Sequence, residues 1–298
     1  MQQDKTHILN GLKEGDFLSV SRVISMVENN HPLSDDILTS IMPNATIPVI
    51  GITGPPGAGK STLVNALIEE LLTSNKRIAV LAVDPSSPFN QGALLGDRIR
   101  MSANFNHPGV FIRSMASRGS LGGLAEKTIE ITDVLRSSNF DVILVETVGI
   151  GQSEIDIAGL ADLTVVVLVP ESGDEIQHIK SGLMEIADVF VLNKADREGA
   201  DLFENNLRKM LRQKESPIPI IKTIADQGKG IDSLVTILNQ EYISDNKKRR
   251  LDFITEKAWR LIQQKRMKDV DRGLLRSELE TLSTVKAFNL YSYIESKY

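Results

Sequence analysis

Three features of the 298-residue sequence predict an α/β fold, a mostly parallel sheet flanked by helices. Seven short apolar runs alternate with segments of helical spacing between residues 47 and 242. The runs are apolar on both faces, as strands covered by helices on two sides must be. A glycine-rich turn, GPPGAGKS at 54–61, stands between the first run and the first helical segment, where a strand of such a sheet turns into a helix.

Residues 1–46 read as short helices. Ile8, Leu9, Leu12, Phe17, Leu18, Val23, Ile24 and Val27 recur at spacings of three to four, and Pro32-Leu33-Ser34 offers the start of another helix. They are expected to form an N-terminal helical extension. The strand candidates follow at 47–52, 77–83, 109–113, 141–146, 163–169, 189–192 and 218–223, so that 47–243 forms one α/β domain. Beyond it no run has strand character, while 251–262 and 273–285 carry helical spacing. Residues 244–298 are expected to be a helical arm, too thin to bury its own apolar face, that packs on the main domain or on a second subunit. There is no internal repeat.

Apolar residues make up 41% of the chain and charged residues 24%, ordinary values for a globular protein. No stretch approaches the roughly 20 apolar residues of a membrane span, and the opening MQQDKTHILNGLKEGD lacks the apolar core of a signal peptide. A cytoplasmic protein with no membrane partner is expected. The absence of cysteine excludes disulfides and thiolate metal sites, and His7, His31, His107 and His178 are scattered without metal-ligand spacing. Net charge is −5, yet residues 246–276 hold eleven Lys and Arg against four Asp and Glu. No aromatic stacking pattern accompanies this charge, so it reads as a solvated helical face, and nucleic-acid binding is not expected.

The 54–61 turn has the residue types and spacing of a phosphate-binding P-loop, which makes a P-loop NTPase domain the expected core. Gly54, Gly57 and Gly59 allow the tight turn. The backbone from Gly54 through Pro55, Pro56, Gly57, Ala58 and Gly59 aims its amides at the β-phosphate, and the helix that begins around Thr62 adds its dipole. Lys60 reaches the β- and γ-phosphates, and the Ser61 hydroxyl binds Mg²⁺.

A second motif reads the base. Asn193-Lys194-Ala195-Asp196 follows the run 189–192 and matches the NKxD pattern of GTP-binding proteins. The Asp196 carboxylate accepts from guanine N1–H and the 2-amino group together, whereas adenine presents a lone pair at N1 and no 2-amino group. Sites built on specific hydrogen bonds reject the analogue lacking them by roughly 10⁴-fold, so GTP is expected over ATP. Asn193 and Lys194 brace the loop. Ile224-Ala225-Asp226 stands where related proteins carry a Ser-Ala loop against the base, with the Ala225 amide as the remaining contact.

Four apolar residues, 142–145, lead from Asp141 to Glu146 in a Walker B pattern, and Glu146-Thr147-Val148-Gly149 occupies the place of DxxG. Glu146 is expected beside Mg²⁺. Asp84, ending the run 77–83, and Asp97 are further candidates, with pairing to Arg98 or Arg100 the alternative for Asp97. A hard cation that keeps several waters is held by one or two carboxylates plus phosphates. Lys60, Asp84 and Glu146 form the expected catalytic set; Ser61, Asp84, Asp97 and Glu146 form the metal set. Small GTPases place a water-orienting Gln directly after DxxG; Ile150 stands there, so unaided hydrolysis is expected to be slow, and Gln152 is offset. Arg98, Arg113 and Arg118 are candidate sources of positive charge. Segments 84–101, 114–124 and 147–154 are expected to be ordered by the γ-phosphate and released on hydrolysis.

With these residues in place the chain resembles the GTPases of the MeaB/ArgK type, which accompany adenosylcobalamin-dependent methylmalonyl-CoA mutase and its relatives. The resemblance is carried by GPPGAGKSTL from Gly54, DPSSPFNQGALLGDRIRM from Asp84, MASRGSLGGL from Met115, ETVGIGQSE from Glu146 and PESGDEIQHIKSGLMEIADVFVLNKAD from Pro170. It implies a homodimeric GTPase chaperone that gates cofactor loading from a cobalamin adenosyltransferase and protects or reactivates an acyl-CoA mutase. It also implies a further switch at 171–180, where Glu171, Asp174, Glu175 and Lys180 are present. Two alternatives are a nickel-delivery maturation GTPase, which would want a Cys or His site, and a P-loop kinase, which would read adenine rather than carry NKAD.

Overall fold

Apolar runs buried on both faces can satisfy their backbone groups only by pairing within a sheet, and the seven runs do so. The computed structural model describes residues 2–84, 104–116, 127–147, 153–170, 181–211, 217–241, 247–283 and 288–297. The strands are β1 (Val49–Thr53), β2 (Ile78–Asp84), β3 (Val110–Ala116), β4 (Val142–Thr147), β5 (Leu163–Leu168), β6 (Val189–Leu192) and β7 (Ile220–Lys222). They form one sheet in the order β3-β2-β4-β1-β5-β6-β7, with every pairing parallel. This is the expected α/β P-loop architecture. β1 starts at Val49 rather than at residue 47 because Pro48 has no N–H to pair and the Ile47 N–H closes a turn on the Asn44 carbonyl, 3.2 Å away.

Helices cover both faces. One cluster joins Ile50, Ile52, Val80, Leu144, Val165 and Val167 of the sheet to Leu63, Val64, Leu67 and Ile68 of α4 (Lys60–Thr73) and to Ile231, Leu234 and Leu238 of α9 (Ile231–Glu241). On the other face Val166, Leu168, Phe190 and Leu192 meet Phe203 and Leu207 of α8 (Ala200–Leu211). Successive residues of β5 thus serve opposite faces, as the period of two requires. Each fully buried Leu or Ile contributes about 1.5–3 kcal/mol, so α4, which carries the end of the glycine-rich turn, is firmly seated. The remaining helices of this part are α5 (Thr128–Arg136), α6 (Ser153–Leu160) and α7 (Ser181–Ile186).

The N-terminal helices are α1 (Gln2–Glu14), α2 (Phe17–Glu28) and α3 (Ser34–Leu38); α2 lies against β3 and carries α1 and α3 on it. Asp16 caps α2, its carboxylate accepting the Ser19 N–H at 2.8 Å; Ser19 holds that carboxyl below the usual aspartate range. Phe17 packs with Phe111 and Phe140. The Arg77 guanidinium lies 5.5 Å from the Phe17 ring centre and donates to the Gly15 carbonyl at 2.8 Å, while Arg113 of β3 pairs with Glu28 and donates to Ser25 at 3.2 Å.

The chain divides into two compact units, Met1–Arg250 and Leu251–Tyr298. Helix α10 (Lys247–Arg266) opens at that division, followed by α11 (Arg272–Leu282) and α12 (Leu290–Lys297). Within the second unit Asp271 caps α11, accepting the Leu274 N–H at 2.8 Å. Glu278 accepts from Tyr293 and Lys297 of α12. Among the described residues no helix is long and apolar enough to cross a membrane.

Candidate nucleotide site

In a parallel sheet the ends of the strands point their loops to one edge, and ligands collect where the strand order changes direction. Here that place is the C-terminal end of β1, flanked by β4 and β5. The loop 54–59 leaves β1 after Thr53 and enters α4 at Lys60. Gly54 has φ +140°, and a Cβ there would sit 2.2 Å from the Val167 carbonyl oxygen of β5. Gly59 has φ +85°, and its Cβ would come 2.4 Å from Asn193 Nδ2. Both positions therefore require glycine, the first by close passage under β5 and the second by contact with the loop after β6. Gly59 caps α4 without a side-chain hydrogen bond, the arrangement that leaves a helix N-terminus to an anion.

Lys60 is only 8% exposed, and its Nζ donates to the Gly54 carbonyl at 2.8 Å and the Pro55 carbonyl at 3.0 Å. The ammonium is thus held over the mouth of the loop by the loop itself, where phosphate oxygens would be stronger, charge-assisted partners. The Ser61 hydroxyl donates to Glu146 Oε1 at 2.7 Å, and both residues are buried. Glu146 is set by the sheet, its backbone in register with Ile52 of β1 and with Ala82 of β2. Two hard oxygen donors meet at the N-terminus of the P-loop helix, a donor set that suits Mg²⁺ completed by phosphate oxygens and water.

Asp84 is the last residue of β2, two positions beyond Ala82; its side chain lies outside the described residues. Asp97, Arg98, Arg118, Ile150, Gln152 and the segment 171–180 also lie outside them. Arg113 is described, and its guanidinium is engaged by Glu28 and Ser25 of α2.

The two motifs come together through Asn193. Its Nδ2 donates to the Ala58 carbonyl at 3.0 Å, and its Oδ1 accepts from Thr223 Oγ1 and from the Ala225 N–H, each at 3.1 Å. The Ala225 amide, offered to the base by the sequence pattern, here braces the Asn193 carboxamide. Lys194 adopts a left-handed φ of +54° and donates from Nζ to the Gly57 carbonyl at 2.9 Å. Asp196 is exposed, and Ile224 opens the 3₁₀ turn that contains Ala225 and Asp226. The phosphate loop, the loop after β6 and the loop after β7 are therefore one connected piece. Thr223, 1% exposed, is a site residue that pattern reading passes over. A threonine after an apolar run looks like any strand residue until β7 is known to lie beside β6.

The sequence model of the family described as "Methylmalonyl Co-A mutase-associated GTPase MeaB" matches residues 20–273. A protein of Pyrococcus horikoshii named as a GTPase is 45% identical over 287 residues, covering 92% of this chain and 87% of its own length. GTPase ArgK of Escherichia coli K12 is 36% identical over 236 residues, 75% of this chain and 71% of that one. The mouse protein named methylmalonic aciduria type A homolog, mitochondrial, is 34% identical over 250 residues, 76% of this chain and 60% of that one. A crystal structure described as an LAO/AO transport system kinase matches 99% of this chain and 97% of its own with a TM-score of 0.73 at 23% identity, which shows a shared fold. Matched across most of its length by the family model, and more than a third identical to relatives that carry the GTPase name, this chain belongs to the MeaB family of methylmalonyl-CoA mutase-associated GTPases and is itself a GTPase.

Proposed function

We propose that this GTPase is a nucleotide-driven chaperone of an adenosylcobalamin-dependent acyl-CoA mutase of the methylmalonyl-CoA mutase type. It gates cofactor loading from a cobalamin adenosyltransferase and protects or reactivates the mutase in the cytoplasm. The observation that carries the reading is the family itself, described by its association with that mutase; the mouse relative's name, with its reference to methylmalonic aciduria, supports it. The working molecule is a homodimer, a reading supported by the exposed Leu251, Ile254, Trp259, Leu261 and Ile262 of α10, since apolar surface of this extent calls for a covering partner.

In this mechanism GTP lies across the C-terminal edge of the sheet. Lys60 leaves the Gly54 and Pro55 carbonyls for the β- and γ-phosphate oxygens, and loop amides together with the N-terminus of α4 hold the rest of the charge. Ser61 and Glu146, with Asp84 and Asp97, hold Mg²⁺, which when bound neutralises phosphate charge. Asp196 reads the guanine edge while Asn193, Lys194, Ile224, Ala225 and Asp226 shape its pocket. With Ile150 in place of a water-orienting Gln, turnover is slow alone and rises when the mutase stabilises the hydrolysing arrangement.

Competition binding of GTP, ATP and XTP tests the pocket. GTP should exceed ATP by about 10⁴-fold or more, and Asp196→Asn should move preference toward XTP; equal binding of GTP and ATP would remove the base-reading argument. GTP turnover with added mutase tests the partner. A rate unmoved by any adenosylcobalamin mutase of the same cell contradicts the chaperone reading and leaves the GTPase standing.

A further inference from the structure

Glu146 and Thr147 are neighbours on β4, so their side chains leave on opposite faces of the sheet. On one face Glu146 accepts from Ser61. On the other, Thr147 Oγ1 donates to Thr53 Oγ1 at 3.1 Å and lies 3.5 Å from the Ile52 carbonyl oxygen. Thr53 and Thr147 are 0% and 1% exposed. Packing alone would favour valine at both places, the same shape without a hydroxyl to desolvate; β5, which flanks Thr53, carries Val165, Val166 and Val167, all fully buried. A buried hydroxyl costs stability unless it is bonded, so the pair is explained by what the bond holds. The register of β1 on β4 ends at Ile52 with Glu146. The hydroxyl bridge extends that grip by one residue, to the point where Thr53 hands the chain to Gly54 and the phosphate loop begins.

We propose that Thr147, through its bridge to Thr53, is a positioning residue for GTP hydrolysis. It clamps the end of β4 to the root of the phosphate loop, so that the Glu146 carboxylate is held against Ser61 from the opposite face of the sheet. The inference rests on the reading of Glu146 as the acid on the metal side of the site. Nucleotide binding does not depend on the bridge, because the loop amides, Lys60 and the base loops supply it. Hydrolysis does, because sub-ångström displacement of a charge-bearing group near the reacting phosphate is costly.

The test is a set of variants, Thr147→Val, Thr147→Ser, Thr53→Val and the double valine, each measured for GTP kcat and KM, GDP affinity and melting temperature. Thr147→Val and Thr53→Val should each lower kcat about tenfold with GDP affinity kept within about twofold. Thr147→Ser should restore the wild-type rate. The double variant should lose no more than the worse single one, as partners in one bond do. An unchanged kcat in Thr147→Val, equal losses of kcat and GDP affinity, or additive losses in the double variant would each overturn the proposal. Should Thr147→Val fail to fold, Thr53→Val carries the same test. Glu146→Gln is measured alongside: if it hydrolyses GTP as fast as wild type, the reading of Glu146 fails on its own account, whatever the threonines do.

Discussion

The two edges of the sheet use the same polar groups in opposite ways. At the N-terminal edge, Asp141, Asp162 and Asp188 each stand one residue before a strand. Each carboxylate accepts a backbone N–H from the neighbouring strand's start: Arg77 at 2.7 Å, Val49 at 2.8 Å and Thr164 at 2.7 Å. Each of these aspartates also donates its own N–H to the carbonyl of that same residue, at 2.8, 2.8 and 2.9 Å. At the C-terminal edge the charged groups rest on loop carbonyls or on one another: Lys60 on Gly54 and Pro55, Lys194 on Gly57, Ser61 on Glu146. An aspartate that holds the N–H of a neighbouring residue with its carboxylate and that residue's carbonyl with its own N–H cannot turn to a ligand without loosening the register. A lysine resting on a loop carbonyl can exchange it for a phosphate oxygen at little cost. One edge is built to stay bonded to itself, the other to trade partners.

The largest separation between the edges should come from Lys60→Ala. Removing the ammonium takes away charge-assisted bonds to the phosphates, each worth about 1.5–3 kcal/mol, so GDP and GTP affinity should fall by roughly 10²–10³-fold. The unfolding midpoint without nucleotide should stay nearly unchanged, because the two carbonyls it leaves can take water at the loop mouth. Isothermal calorimetry and a melting curve on the same sample decide this; a loss of stability as large as the loss of affinity would make the lysine a structural post rather than a ligand group.

Asp162→Ala should do the reverse. Besides the Val49 N–H, this carboxylate pairs with Arg136, and the two side chains are 15% and 12% exposed. Without it a buried guanidinium and the first amide of β1 lose their partner, a cost of about 2–4 kcal/mol. Urea unfolding should show a lower midpoint at unchanged slope, while GTP affinity measured well below the melting temperature stays within about twofold. A matching fall in affinity would mean that the strand starts and the phosphate loop are not separable.

The difference between the edges also decides what could be read from the chain beforehand. The seven strands were legible because each carries a short apolar run, buried on both faces in β1, β4, β5 and β6, and the phosphate and base loops were legible because each carries its chemistry in adjacent residues. Asp141 reads as the opening of the Walker B run and Asp162 and Asp188 carry no motif; their backbone grip is not legible, since the strand each one holds lies elsewhere in the sequence. Thr53, Thr147 and Thr223 look like ordinary β-formers for the same reason. Helix α12 falls within the helical arm expected over 244–298, although helical spacing is legible only at 251–262 and 273–285. Its start is set by Asn289, whose side-chain oxygen accepts the Tyr291 and Ser292 N–H groups at 3.0 and 3.1 Å, rather than by an apolar period.

The smallest effect belongs to Glu278, a carboxylate with partners whose side chain is 43% exposed. Lys297, and then Tyr293, hold its carboxyl below the usual glutamate range, and the same contact raises Lys297 and Tyr293. A depressed carboxyl contributes stability that is whole above the ordinary glutamate value of about 4.3 and is lost as pH falls through the lower folded value. A raised ammonium contributes below the ordinary lysine value and loses its share as pH rises through the higher folded one. The tie between α11 and α12 should therefore hold across the neutral range and loosen as pH falls below the ordinary glutamate value, visible as a shift of the Lys297 and Tyr293 NMR signals that Glu278→Gln abolishes. The unfolding midpoint should not move, because an exposed ion pair is screened by solvent. A transition of the whole chain that the same substitution removes would place an exposed pair on a level with Asp162, and burial would no longer account for why carboxylates of one chain differ so widely in what they hold together.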